Sequence, residues 1–270
     1  MRKHLQLSEL ASNYACDKGH HGPSHKWSGN NYVDIYQAYF AGTRHNVKAV
    51  MEIGLGVRGS EFEAKVAHGQ NQGGASIKMW RDFFPSAKIV GLDINDASFL
   101  NGDRIITHQV DQGRRDQLSA IRDAYADTAF DLIVDDGSHR SDHQQTTLEE
   151  LFPLLKPGGL YVIEDLNDQG LGSARGGPHA SKNTVNTRDW FYRYVENGSL
   201  LPNHAFNSTD FLSQCSEINF HAPAPFLRGR DIIYETIRVL LGRSSRGLLR
   251  REFNSKSHRI VALRKANHSR

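Results

Sequence analysis

The residues of this 270-residue chain best suited to chemistry are acidic and stand directly after short apolar runs. Leu132, Ile133 and Val134 lead into Asp135, Asp136, Gly137, Ser138 and His139, and Tyr161, Val162 and Ile163 lead into Glu164 and Asp165. If the two runs are neighbouring strands, four carboxylates converge on one edge of a sheet. Like charges at that spacing repel, more strongly beside a low-dielectric core. Something positive is required among them, and a hard divalent cation is the economical answer. Magnesium takes oxygen ligands in an octahedron and usually keeps watered positions. Asp136, Glu164 and Asp165 would supply three oxygens, leaving about three positions, two of which suit adjacent hydroxyls of a sugar or a catechol. Successive strand residues point to opposite faces, so Glu164 and Asp165 share an ion only if the chain turns there. His139, three residues after Asp136, can accept a proton near neutral pH from a hydroxyl that the metal has acidified. His143, one helical turn on, is expected to support it.

A second set of residues follows the run 49–53. Gly54, Gly56 and Gly59 satisfy G-x-G-x-x-G literally, with Glu52 just ahead of them, a pattern that admits two kinds of ligand. A dinucleotide site needs an acid about 20 residues further on, whereas the strand-end acid here, Asp93, comes 34 residues after Gly59. A carboxylate at Glu52 would crowd a pyrophosphate and suit a ligand carrying an ammonium and a sulfonium. Glu-x-Gly-x-Gly followed by an acid at the end of the next strand resembles the class I S-adenosylmethionine-dependent methyltransferases. That resemblance assigns Glu52, Gly54 and Gly56 to the loop against the methionine part of the cofactor and Asp93 to the ribose hydroxyls. It brings Asp111 and Gln112, after the third strand, near the adenine.

These residues need elements to position them. Strands are predicted over 49–53, 88–94, 104–110, 130–135 and 160–163. Helices are predicted over 76–84, closed by Pro85, over 115–125, and over 142–155, stopped by Pro157-Gly158-Gly159. A helix over 187–195 and late strands over 218–225 and 258–263 complete the count. Strands alternating with helices imply an α/β fold with a mostly parallel sheet covered on both faces. Residues 1–45, rich in His and Tyr, read as an N-terminal extension or lid, and 46–270 as one domain. Within that domain, 166–186 is a loop suited to substrate and 226–256 a basic segment.

Composition narrows the classes. With 38% hydrophobic and 23% charged residues the chain is expected to fold. The net charge of +3 is too balanced to imply nucleic-acid binding, although residues 226–270 carry twelve Lys/Arg against three Asp/Glu. No stretch is long and apolar enough to span a bilayer, the first residues lack the apolar core of a signal peptide, and two cysteines exclude a disulfide scaffold or a four-cysteine zinc site. A cytoplasmic enzyme with free thiols is expected.

The string Asp135 to His139, the run Leu151 to Asp165, the segments Ser76 to Pro85 and Ile89 to Asp93, and the early Asp17-Lys18-Gly19 are far more specific than the glycines. Together they resemble the metal-dependent sugar O-methyltransferases of natural-product pathways, of the mycinamicin and rhamnosyl O-methyltransferase type. The resemblance covers roughly residues 14–166. It implies a Rossmann-like class I methyltransferase fold with a seven-stranded sheet and an N-terminal helical extension. It implies S-adenosylmethionine and Mg2+ as cofactors, His139 as base, and Asp136, Glu164 and Asp165 as metal ligands. Glu52, Gly54, Gly56, Ser76, Asp93, Asp111, Gln112 and Asp135 form the cofactor set. The partner implied is a small-molecule glycoside, and a homo-oligomer is expected. Three alternatives stay open: N-methylation of an aminosugar on the same fold, a nicotinamide oxidoreductase, and a non-catalytic binder acting through the basic segment.

Overall fold

The structure is a computed structural model, and it describes residues 6–20, 30–58, 72–166, 186–191, 211, 214–221 and 259–267. Seven strands form one sheet: β1 (Ala49–Ile53), β2 (Lys88–Asp93), β3 (Ile105–Gln109), β4 (Phe130–Asp135), β5 (Leu155–Ile163), β6 (Cys215–His221) and β7 (Ile260–Lys265). The spatial order is β3-β2-β1-β4-β5-β7-β6. All neighbours from β3 to β5 are parallel, and β7 alone runs against both β5 and β6. Strand order reverses between β1 and β4, and crevices for ligands open at the carboxyl ends beside such a reversal.

Alternation along the strands separates two apolar layers. Val50, Leu132, Val134, Leu160 and Val162 face one cluster, and Met51, Ile133, Tyr161 and Ile163 face the other. The first layer is covered by α1 (Leu7–Asn13), α2 (Val33–Phe40) and α3 (Ala75–Phe83). The second is covered by α4 (Arg115–Ala124) and α5 (Ser141–Leu151). Helix α3 begins after Gly74, whose φ of 75° favours glycine and where a Cβ would lie 2.4 Å from Leu100 Cδ1. It buries Ile77, Trp80 and Phe83 at helical spacing. The Arg104 guanidinium donates to the Arg81 carbonyl in its last turn and to the Phe84 and Ala87 carbonyls just beyond it, at 2.9 Å each.

The predicted strands recur in the structure, with β5 starting five residues ahead of the expected 160–163, and residues 222–225 of the strand predicted over 218–225 lie outside the described residues. One helix differs. The run over 142–155 leaves the α-helix at Leu151, turns through a 3-10 segment at Phe152–Leu154 containing Pro153, and enters β5 already at Leu155. Pro157 and two glycines thus lie inside the strand, where Gly158 takes a φ of 73° and the register with β4 shifts. Their turn propensity bends the strand rather than preceding it. Residues 187–191 are helical. The remainder of the predicted helix over 187–195, most of the loop over 166–186, Gly59 and the basic segment over 226–256 lie outside the described residues. Among the described residues, no helix is long and apolar enough to cross a membrane.

The N-terminal helices are part of the core. Leu7, Leu10, Tyr32 and Tyr36 belong to the same apolar cluster as Trp80, Phe84 and Val134. Tyr36 meets Trp80 edge-on at 4.9 Å. Substituting Leu7→Ala, at a side chain with no exposed area, is expected to lower stability by about 2–5 kcal/mol. A urea titration checks this, and a loss below about 0.5 kcal/mol would mean that α1 is a detachable flap.

Candidate active site

The register of the parallel strands decides which acids meet. Glu52 pairs with Gly91 and Val134, and Val134 with Val162. One residue past the strand ends, the ladder continues through Gly54 N–H to Leu92 O (2.8 Å), Asp136 N–H to Ile53 O (2.9 Å) and Glu164 N–H to Asp135 O (2.9 Å). Two-residue periodicity puts Glu52, Asp136 and Glu164 on the face covered by α1, α2 and α3. Asp135 faces the opposite way.

The gap between these three carboxylates holds the Lys18 ammonium. Its Nζ lies 2.5 Å from Asp136, 2.6 Å from Glu164 and 3.5 Å from Glu52, and its side chain is 1% exposed. Glu164 also accepts a hydrogen bond from the Tyr36 hydroxyl at 2.5 Å. Burial pushes the Glu52 carboxyl up to about 7, with Lys18 opposing the rise and Asp136 adding to it. Burial raises Glu164 as well, again against Lys18. Lys18 is raised far above the ordinary lysine range: burial alone would lower it, and Asp136, Glu164 and Glu52 outweigh that.

Asp165 reaches the same neighbourhood by a turn. Its φ of 51° is left-handed, and the kink swings its carboxylate back towards the extension. There it accepts from the Tyr32 hydroxyl and from Arg259, the latter at 2.5 Å. Its other oxygen faces His139 Nε2 at 3.9 Å. His139 is itself left-handed, with φ 57°. Asp136, His139 and Asp165 can each offer one ligand atom within 4.8 Å of the others. Glu164 is outside that trio, its two oxygens turned to Lys18 and Tyr36.

The glycine loop lies alongside. Gly54 has a φ of 84°, and a Cβ there would sit 2.1 Å from the Asp136 carbonyl oxygen, so only glycine lets β1 and β4 end side by side. Asp93 fastens the loop. One of its oxygens accepts from Leu55 N–H (2.8 Å) and Val57 N–H (3.4 Å), the other from Asn95 N–H (2.9 Å). Ser76, in the first turn of α3, donates to Glu52 at 2.8 Å. On the opposite face, Gln112 donates to Asp135 (2.7 Å) and accepts from Ser138 N–H (2.9 Å). Burial lifts the Asp135 carboxyl to about 6, with the Gln112 and Gly137 hydrogen bonds opposing. Asp111 accepts from Gly113 N–H at 2.8 Å, and His143 is bonded to the Ser138 hydroxyl at 2.8 Å.

One cavity of about 540 Å³ joins these parts. Gly54, Gly56, Ser76, Asp93, Asp111 and Gln112 line it, together with Asp136, His139, His143 and Asp165. Glu52, Asp135 and Glu164 do not line it. The sequence reading missed Lys18, Tyr32, Tyr36 and Arg259. Only the Asp17-Lys18-Gly19 string was a signal for any of them.

A family described as a methyltransferase domain matches residues 69–208, just over half of the chain. The chain belongs to that family. This methyltransferase domain is 40% identical over 161 residues to a mycinamicin VI 2''-O-methyltransferase of Micromonospora griseorubida. It is 38% identical over 160 residues to an 8-demethyl-8-(2-methoxy-alpha-L-rhamnosyl)-tetracenomycin-C 3'-O-methyltransferase of Streptomyces olivaceus. Each match takes in 59% of this chain and 36% of the relative, so the chain spans about a third of the length of the curated relatives it matches. A methyltransferase from the mycinamycin biosynthetic pathway, solved with Mg and SAH, superposes with a TM-score of 0.64 at 25% identity, over 98% of this chain and 55% of that one. The sheet is that of a class I methyltransferase.

Two measurements follow for the methyltransferase domain. Gly54→Ala is expected to cost at least about 1–2 kcal/mol from the left-handed backbone alone, more with the clash at Asp136, as read in a urea titration. The pH test concerns Glu52. Its folded value near 7 lies above the ordinary carboxyl range, so the folded chain keeps a proton that the unfolded chain releases. Stability therefore falls as pH rises between about 4.5 and 7. Glu52→Gln is expected to flatten this fall, which urea midpoints at successive pH values would show.

Proposed function

We propose that this methyltransferase domain transfers a methyl group from S-adenosylmethionine to a hydroxyl of a sugar on a small-molecule glycoside, with Mg2+ at the acidic end of the cavity. The observation that carries the reading is the shared cavity. It is lined by the glycine loop and Asp93 together with Asp136, His139 and Asp165. The family match and the printed activities of the relatives, all on glycosylated natural products, support the same choice.

The residues fit the two groups unequally well. Gly54 and Gly56 leave backbone open for close approach, and Asp93 presents a fixed carboxylate to a ribose diol. For the metal, Asp136 and Asp165 offer hard oxygens towards the cavity. Glu164 stands behind them with both oxygens engaged. A carboxylate has about four lone-pair sites, so Glu164 can add an oxygen to the same ion while keeping Lys18 and Tyr36. When bound, the cofactor supplies an electrophilic methyl on sulfur and the metal lowers the pKa of the acceptor hydroxyl. His139 takes the hydroxyl proton. Asp165, 3.9 Å from its Nε2, stabilises the imidazolium so formed. Water exclusion falls to the buried floor of Glu52, Lys18 and Glu164.

Titration calorimetry and a methyl-transfer assay over glycosides with vicinal diols test this. His139→Ala is expected to bind S-adenosylmethionine as the unaltered chain does and to lose about 10²–10⁴-fold in turnover. Chelator is expected to stop turnover reversibly. Turnover indifferent to chelator would instead bring amine acceptors forward, and absence of cofactor binding would remove the reading altogether.

A further inference from the structure

All but one of the described arginines are engaged within the protein, by carboxylates, by carbonyls or, for Arg44, by the face of Phe83. The exception is Arg58. It is exposed, it has no hydrogen-bond or ion-pair partner among the described residues, and it lines the cavity. No other lysine or arginine among the described residues lines it, and the acids that do are all aspartates: Asp17, Asp93, Asp111, Asp136 and Asp165. The root of the side chain is fixed although its end is free. The preceding residue, Val57, donates its N–H to Asp93 at 3.4 Å and accepts from the Asn95 amide at 2.9 Å. Gly73 packs backbone to backbone on the same turn, where a Cβ would lie 2.6 Å from the Gly56 carbonyl oxygen. An unpaired guanidinium is thus held at the end of the glycine loop, in the wall of an otherwise acidic cavity.

We propose that Arg58 pairs with the carboxylate on the methionine part of S-adenosylmethionine and makes the site selective for a cofactor that carries it, a proposal that rests on the S-adenosylmethionine reading above. A guanidinium presents a planar fork of N–H donors that matches a carboxylate in two parallel hydrogen bonds. A ligand carboxylate entering a lining of aspartates meets repulsion everywhere else. The carboxylate is the cofactor's and not the acceptor's, because Arg58 stands four residues past Gly54 on the loop assigned to the cofactor. The sulfonium and ammonium of the same ligand suit the acidic lining, so Arg58 supplies the one complementary charge that the aspartates cannot.

S-adenosylmethionine and its decarboxylated form share the adenosine, the sulfonium and the amine, and differ in the carboxylate. Titration calorimetry of both into the full chain, in about 0.3 M salt so that charges out of contact are largely screened, isolates that group. The ratio of their affinities, carboxylated over decarboxylated, is expected to fall at least about tenfold in Arg58→Gln. It is expected to fall less in Arg58→Lys, which keeps the charge and loses the fork. Arg58 is exposed, so the variants are expected to fold, and thermal melts check this. A folded Arg58→Gln whose ratio stays at the unaltered value overturns the proposal, whether both affinities hold or both fall together. An unaltered chain that binds neither ligand overturns the S-adenosylmethionine reading and this inference with it. An unaltered chain that binds S-adenosylmethionine, with the ratio unmoved in Arg58→Gln, overturns the role of Arg58 alone.

Discussion

A lysine ammonium lying among carboxylates is the interaction on which the site depends. Glu52, Asp136 and Glu164 are brought together by strand register, and none of them can retreat, because each is fixed by a ladder hydrogen bond at or next to its own backbone. At an effective dielectric constant near 20, two charges 4 Å apart interact by about 4 kcal/mol. Three such acids with no cation would drive each other to protonation or push the strand ends apart. Lys18 removes that conflict. Its own desolvation is offset because it is shared three ways. A pair buried this deeply contributes little net stability, but losing one partner costs about 3–5 kcal/mol. The position therefore tolerates little change, whatever its role in turnover.

The need for that ammonium explains why the extension is folded into the core. Lys18 is delivered from the segment that links α1 to α2, and Tyr36 and Tyr32 descend from α2 and its start onto Glu164 and Asp165. The helices can supply these groups only by lying flat on the β1–β4–β5 face, and they do so by burying Leu7, Leu10 and Tyr36 against Trp80 and Phe84. The apolar contacts and the polar contacts reinforce each other. A one-residue slip of β4 would turn Asp136 to the other face and bring Asp135 under Lys18, so the register and the site specify one another.

Much of this was legible in the sequence. Short β-branched runs ending in glycine or acid marked the strands, and two-residue alternation with parallel pairing was enough to predict that acids would converge. The glycine loop and Asp93 stood where the spacing put them. The requirement for a positive group was also legible, but not its identity. Lys18 sits about thirty residues before the first strand, in a segment without periodicity, and nothing local says that it folds under the sheet. The same holds for Arg259, brought to Asp165 by the antiparallel return of β7. Gln112 illustrates a different limit. The resemblance put it near the adenine, yet its amide is engaged at both ends by Asp135 and Ser138, a commitment that depends on side-chain geometry across two loops. The helix over 142–155 failed at its end because Pro157 and two glycines are ordinarily stop signals, and here a bulged strand absorbs them.

The two residues that face each other across the acidic end of the cavity are both held in an unfavourable backbone conformation. His139 and Asp165 have φ values of 57° and 51°, where a side chain with Cβ costs roughly 1–2 kcal/mol. Such strain persists only where neighbours over-determine it. Asp165 is gripped by Tyr32 and Arg259, and the His139 turn is held by Ser138, itself tied to Gln112 and His143. Relaxing either residue to an ordinary strand conformation would turn its side chain away from the other and separate the imidazole from the carboxylate. The strain therefore has a product, an imidazole and a carboxylate oxygen held 3.9 Å apart just past the ends of two neighbouring strands. It is maintained by contacts from the N-terminal extension, from the loop after β3 and from β7, each of which would otherwise have no reason to reach this edge of the sheet.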